Sequence, residues 1–470
     1  MSTFEDKVNL LVKKSLINNG WRQTESFNLI PSENTPSPLV KLLEISDPAG
    51  RYAEHSTVRG QEVYYYQGID LIRWTETELI KEMAGFLGAS RVEPRPTSGN
   101  MANMVLYQAL VKHLGRKIDG VLNNELVNGG HLSAQPMGAL FGNVELDKAG
   151  KEKIVNFPVD TDNPYKTDKA KLADLVDATK PELIIFGKSM FLFPEPVRQI
   201  SDLVKDMNPR PVIMYDGAHV LGLLGSFQDP FAEGANFVTG STHKTFFGSQ
   251  RGVVASRFKE GDQFYDKLWN YIKSRSFPGS TSNHHLGTLI ALLMATYEMN
   301  EFKDAYQTQV RRNAKAFARA LKTYGIQVEG GADGFTESHQ VVINVRQYGN
   351  GQEIAKRLER NNIITNFQAL PYDKSFSDPS GIRMGVQEMT RYGMKEQDFE
   401  QLAVLVADSI KGKDVKDSVS KYRKNFVQMQ YTIDAESSAR LATRLLSSIL
   451  PDTEYARRFA DNFMQLVHAR

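Results

Sequence analysis

The sequence predicts an α/β protein, a mostly parallel sheet flanked by helices with a smaller C-terminal α+β domain. Three observations lead there. Short apolar runs at residues 182–186, 211–215 and 236–238 alternate with a helical pattern over 196–207, the layout of a sheet covered on both faces. The pattern then changes to one long helical stretch from Leu286 to about Leu321. Finally, 470 residues exceed what one hydrophobic core usually carries, so a second unit is expected.

In chain order, Phe4, Val8, Leu11 and Leu16 recur at roughly helical spacing and make residues 1–45 an amphipathic N-terminal arm. Thr-Pro-Ser-Pro at 35–38 breaks any helix there and predicts a loop. A large domain is expected over 46–285. Its early part, 52–68, reads as a loop crowded with Tyr52, Glu54, His55, Arg59, Tyr64, Tyr65 and Tyr66, which an interface explains as well as a pocket does. Arg-Pro-Thr-Ser-Gly-Asn at 95–100 leads into a helix over 101–110. Ser98 suits its N-cap, and the Gly99 and Asn100 amides at the positive helix end suit a phosphate. Met-Tyr-Asp-Gly-Ala-His at 214–219 ends a strand with Asp216 and His219 three residues apart. The run at 237–252 is a strand entering a small polar turn, then His243, Lys244 and a glycine-punctuated loop. Ligand-facing residues of an open α/β sheet sit at such strand ends. Residues 286–413 form the connecting helix and the small domain, with strands near 340–344 and 363–364 and helices near 351–361 and 395–410. The tail, 414–470, reads as a packed helical extension with Leu441, Leu445 and Leu446 in a stripe.

The formal net charge of +2, with both signs interspersed, points to neither nucleic acid nor a membrane surface. No apolar run approaches the roughly eighteen residues that span a bilayer, and the first residues lack the layout of a signal peptide, so a cytoplasmic enzyme is expected. Cysteine is absent, which excludes disulfides and thiolate chemistry, and no metal-ligand cluster is visible.

Lys244, Asp216, His219 and the Ser98–Gly99–Asn100 turn make one set. A lysine that can form a Schiff base, a carboxylate that can keep a pyridinium nitrogen protonated and a phosphate seat are what pyridoxal phosphate needs from a protein. Arg383, in Ser-Gly-Ile-Arg-Met-Gly at 380–385, could hold a substrate carboxylate bidentately. The run Ser-Thr-His-Lys-Thr at 241–245, Asp-Gly-Ala-His-Val-Leu-Gly at 216–222 and Ser-Gly-Ile-Arg at 380–383 resemble the serine hydroxymethyltransferase family, fold type I pyridoxal phosphate enzymes, over roughly 25–410. Ser-Glu-Asn at 32–34, Arg-Tyr-Ala-Glu at 51–54 and Gly-Gly-His at 129–131 fall in the same order.

The resemblance implies roles. Lys244 would hold the cofactor, Asp216 would pair with its ring nitrogen, His131 would stack on the ring, and His219 would contact the phenolic side. Ser98, Gly99 and Asn100 would bind the phosphate, with Ser280 or Thr281 contributed by a second copy. Arg383 and Ser32 would grip the amino-acid carboxylate. Tyr52 and Glu54 would reach into a neighbouring subunit, Glu54 as acid/base, with Tyr66 near the reacting carbon. A homodimer or higher homo-oligomer with shared sites follows. His243 is assigned only local packing.

Departures from the family concentrate where it handles folate. His55 replaces a glycine beside Glu54, Gln368 stands where a pterin-binding asparagine is expected, Ser280–Asn283 replaces a glycine-rich run, and Ser249 and Gln250 alter the loop after the lysine. Residues 334–340 and 385–395 are similar instead to a threonine transaldolase branch that uses no folate. The expected reaction is therefore reversible aldol cleavage or hydroxymethyl transfer on a β-hydroxy-α-amino acid, with tetrahydrofolate left open as co-substrate. Alternatives are a folate-independent threonine-type aldolase or transaldolase, an aminotransferase, and a non-catalytic scaffold or RNA-binding relative.

Overall fold

The computed structural model describes residues 2–58, 61–258 and 261–468; Arg59 lies outside them. Its centre is a seven-stranded sheet in the order Arg91–Glu93, Gly252–Ser256, Phe237–Ser241, Val212–Asp216, Leu183–Phe186, Val121–Asn123 and Ile154–Asn156. The last five strands run parallel, while Gly252–Ser256 is antiparallel to both of its neighbours. Every residue of Leu183–Phe186, Val212–Asp216 and Phe237–Ser241 is buried, which is why these strands read as continuous apolar runs rather than alternating ones. The α/β expectation is met.

A second, four-stranded sheet is built from Gln327–Val328, Gln340–Asn344, Gly381–Gly385 and Asn366–Gln368, all pairs antiparallel. Ile363–Ile364 does not join it. It pairs in parallel with Phe27–Asn28, stitching the N-terminal segment to the C-terminal unit. Helix Leu286–Thr323, 38 residues and about 57 Å long at 1.5 Å per residue, packs against Pro38–Glu44, Asp70–Leu87 and Glu396–Ile410.

Two local expectations are corrected. Pro38 does not end a helix; it begins one, Pro38–Glu44, with Ser37 as N-cap, because the missing N–H of a first-turn proline has no helical partner to lose. The tyrosine-rich stretch is not all loop: His55–Val58 and Gln61–Tyr64 form an antiparallel hairpin with His55 opposite Tyr64. Its rings stack at 4.6 Å, a cross-strand pair that polar composition concealed. The arm helix Phe4–Gly20 buries no residue, and Thr453–His468 leaves Tyr455, Phe459 and Phe463 exposed.

Arg251 holds the corner of the sheet nearest the Ser98 turn. Fully buried, it donates to the carbonyls of Pro94, Arg95, His284 and His285 and to the Thr288 hydroxyl. Burial draws its guanidinium down to about 10, so it stays charged at neutral pH. Replacement by methionine keeps an unbranched apolar stem but removes the guanidinium, and so strands those carbonyls without a donor. We expect R251M to lower the unfolding free energy by about 3 kcal/mol in urea titrations; a loss below about 1 kcal/mol would mean that the carbonyls find other donors.

Candidate active site

The site forms where the ends of the parallel strands meet the four-stranded sheet. Strand Val212–Asp216 ends on the Asp216 carboxylate, and strand Phe237–Ser241 runs into the turn that carries Lys244. Asp216 is 1 % exposed. Its Oδ2 accepts from Asn103 Nδ2 at 2.7 Å, from the Ser133 hydroxyl at 3.3 Å and lies 2.5 Å from His131 Nδ1; its Oδ1 accepts from the Ala218 N–H at 3.0 Å. Burial opposes ionisation here, but the His131 imidazole and these donors outweigh it and hold the carboxyl below its ordinary range. Gly187 allows this crowding, since a Cβ there would sit 2.5 Å from the Cβ of Asp216.

Lys244 is 9 % exposed, and its backbone carbonyl accepts from Asn34 Nδ2 at 2.7 Å. Desolvation lowers its amine from 10.5 to about 8, against the pull of Asp216 and with the push of Arg383. Part of the amine is therefore neutral, and nucleophilic, near physiological pH. Phe246 and Phe247 behind it are fully buried, edge-on to Phe86 and Tyr306, so the bulky residues after the lysine face the core.

Ser98 is the N-cap of helix Gly99–Leu114, accepting from the Met101 N–H at 3.1 Å, as expected. A Cβ on Gly99 would lie 2.1 Å from Ser241 Oγ, so the helix start is pressed against the strand that leads to Lys244. The Gly99 and Asn100 amides occupy the first turn, where a helix of 16 residues favours an anion.

Arg383, on strand Gly381–Gly385, is 8 % exposed. It donates to the Ser189 carbonyl at 2.7 Å and to Asn366 Oδ1 at 3.4 Å, and it pairs with no carboxylate among the described residues. Burial draws it down to about 10. A buried guanidinium held only by neutral acceptors is arranged for an anionic ligand. Ser32 lies on a turn tied to the same strand: the Gly385 N–H donates to Leu29 O at 2.7 Å, and Gln387 Nε2 donates to Ile30 O and Glu33 O.

Asp216, His131, His219, Lys244 and Arg383 thus lie within electrostatic reach of one another. Gly99, beside Ser98 and Asn100, presses on Ser241 ahead of Lys244, and the turn of Ser32 is tied to the strand of Arg383. Together these make one candidate site. Tyr52, Glu54, Tyr66 and Ser280 are not brought into it within this chain. Tyr52 and Tyr66 stack on each other at 5.6 Å on the surface, 45 % and 41 % exposed. The Ser280 hydroxyl donates to Arg275 O at 2.6 Å. His243 is drawn down to about 4 by burial and by Lys244 beside it.

Sequence reading passed over four neighbours. Asn103 and Ser133 hold Asp216, while Gln340 and His339 face His219, whose ring centroid is 6.4 Å from that of His339. His339 is fully buried, and its Nε2 reaches Pro31 O at 3.2 Å, beside Ser32. The similarity of residues 334–340 to the transaldolase branch was the one available signal.

The donors fit a cofactor with an aldehyde carbon, a basic ring nitrogen and a phosphate, since a poised amine, a buried carboxylate and a helix N-terminus converge. Comparisons with known proteins agree. A family profile described as serine hydroxymethyltransferase matches residues 6–406. The chain is 40% identical over 432 residues to serine hydroxymethyltransferase of Pyrobaculum aerophilum, covering 91% of this chain and 94% of that protein. It is 37% identical to that of Staphylothermus marinus, covering 92% and 94%. The crystal structure of L-threonine transaldolase from Pseudomonas fluorescens in its internal aldimine state superposes with a TM-score of 0.78 at 26% identity, covering 95% of this chain and 98% of that one. The chain belongs to the serine hydroxymethyltransferase family.

Proposed function

We propose that this protein is a pyridoxal phosphate enzyme that reversibly cleaves the Cα–Cβ bond of a β-hydroxy-α-amino acid and transfers the hydroxymethyl group. The observation that carries this reading is the buried Lys244 amine, lowered to about 8, in the field of Asp216 and Arg383. The bound cofactor supplies an electron sink for charge that develops at Cα.

Lys244 anchors that cofactor covalently. Asp216, kept ionised by His131, Asn103 and Ala218, holds the proton on the ring nitrogen and so deepens the sink. Ser98, Gly99 and Asn100 receive the phosphate, and His131 and His219 border the ring. Arg383 and Ser32 hold the amino-acid carboxylate, which orients the bond to be broken. A carboxylate or tyrosine must take the β-hydroxyl proton. Glu54 is assigned that role and Tyr66 a place near the reacting carbon, with Tyr52, Glu54 and Ser280 reaching in from a second copy. The exposure of Tyr52 and Tyr66 supports a homodimer or higher homo-oligomer that completes each site. Residues 1–45 then serve as arm, 46–285 as cofactor domain, 286–413 as connecting helix and small domain, and 414–470 as an extension. Among the described residues no helix is long and apolar enough to cross a membrane, and no group of three or more acidic or histidine side chains could hold a metal. We place the enzyme in the cytoplasm, acting on small molecules without nucleic acid.

A second reading, folate-independent threonine-type cleavage or transaldol exchange, is favoured by the structural likeness to the transaldolase. Gln368, the substitution at the expected pterin contact, lies in a strand alongside that of Arg383. Aldehyde release from serine, threonine and allo-threonine, each with and without tetrahydrofolate, separates the two. Serine turnover stimulated by tetrahydrofolate is the expected result. Threonine cleavage with serine turnover indifferent to folate establishes the second reading, and a keto-acid product would sink both in favour of an aminotransferase.

A further inference from the structure

We propose that Gln340 is a positioning residue that locks His219 in its Nε2–H tautomer. Gln340 opens strand Gln340–Asn344 and is fully buried. The orientation of its amide is fixed from outside. The Phe191 N–H, which can only donate, points at Oε1 at 3.1 Å, and the Ser189 carbonyl, which can only accept, lies 3.0 Å from Nε2. A flipped amide would set donor against donor and acceptor against acceptor. The remaining N–H of Nε2 therefore meets His219 Nδ1, 3.2 Å away. That nitrogen must present its lone pair, and the ring proton must sit on Nε2.

The ring is neutral as well as oriented. His219 is 3 % exposed, and burial, with Lys244 and Arg383 nearby, carries its pKa well below the ordinary value. Its Nε2 has no hydrogen-bond partner among the described residues. The outcome is a fixed neutral N–H donor on the edge of the cleft. The Ser189 carbonyl that orients Gln340 also accepts from Arg383 at 2.7 Å, so one backbone oxygen aligns the histidine side and the carboxylate-binding side of the site. Given the pyridoxal phosphate reading, on which this part rests, the His219 N–H would face the phenolic side of the cofactor and so tune the protonation of the bound chromophore. The tautomer itself is a property of the protein without cofactor.

The test uses full-length protein with ¹⁵N-labelled histidine, as apoprotein and after pyridoxal phosphate is added, with His219→Asn to assign the signal. Long-range ¹H–¹⁵N spectra of the apoprotein should show His219 as a single Nε2–H tautomer at neutral pH. Gln340→Met, similar in volume and without a donor, should give a mixture of tautomers. Gln340→Glu, which puts an acceptor opposite Nδ1, should move the proton to Nδ1. In the holoenzyme, Gln340→Met should shift the ionisation midpoint of the visible band by about one pH unit, tenfold in that equilibrium. It should also lower kcat about tenfold while changing KM much less. An Nδ1–H or doubly protonated His219 in the wild-type apoprotein overturns the proposal even if neither variant folds, as does an unchanged pattern in folded Gln340→Met. The expected apoprotein spectra in a protein that acquires no visible band would sink the cofactor reading and leave the Gln340 assignment standing.

Discussion

Lys244→Ala is expected to abolish the visible absorbance of the purified protein and to lower turnover by at least about 10³-fold, because the buried amine near Asp216 and Arg383 is the one proposed to hold the cofactor. The alanine protein should fold normally, since the Lys244 amine makes no hydrogen bond that the fold relies on and the turn is held by backbone and by Thr242, which accepts from the Arg251 N–H and donates to Ser249 O. The pH dependence of cofactor uptake follows from the same burial. Only the neutral amine attacks the aldehyde. With its pKa lowered from 10.5 to about 8, the reactive fraction rises as pH increases toward 8 and levels off above it. Stopped-flow mixing of apoprotein with pyridoxal phosphate should show a rate that climbs with a midpoint near 8. A climb that continues to the ordinary lysine range would show that the amine is solvated, and retained absorbance in Lys244→Ala would displace the lysine from its role.

What could be read beforehand follows how each feature is encoded. The parallel strands were legible because burial on both faces writes a continuous apolar run, and Lys244, Asp216 and Arg383 were legible because each sits in a local motif. Asn103 was not. It lies mid-helix in an ordinary pattern, and its bond to Asp216 joins residues 113 positions apart. Gln340 likewise reads as the polar start of a strand until Phe191, Ser189 and His219 close around it. The hairpin at His55 was hidden because its stability comes from cross-strand stacking and from ion pairs of His55 with Glu62 and Glu76, not from an apolar face. The residues after the lysine have structural partners of their own. Ser249 donates to Glu44 at 3.1 Å, away from the cleft, and the two phenylalanines fill the core.

The second large effect is expected at Arg383. Its guanidinium sits in a buried position with two neutral acceptors and no paired carboxylate among the described residues, so in the free protein its desolvation is poorly compensated. An amino-acid carboxylate supplies the missing charge and a bidentate pair, which a lysine ammonium cannot reproduce in geometry. Arg383→Lys should therefore lower kcat/KM for serine or threonine by about 10²–10³-fold, or about 3–4 kcal/mol of lost transition-state binding at 1.4 kcal/mol per tenfold. Most of it should appear in KM, because the carboxylate is held equally before and during bond cleavage. An amino alcohol that lacks the carboxylate provides the control. Its binding, followed by the change in the visible spectrum, should be weak in the wild type and nearly the same in Arg383→Lys. If the variant weakens both ligands equally, Arg383 acts by supporting Ser189 and strand Asn366–Gln368 and not by touching the substrate, and the carboxylate seat must be sought elsewhere in the cleft.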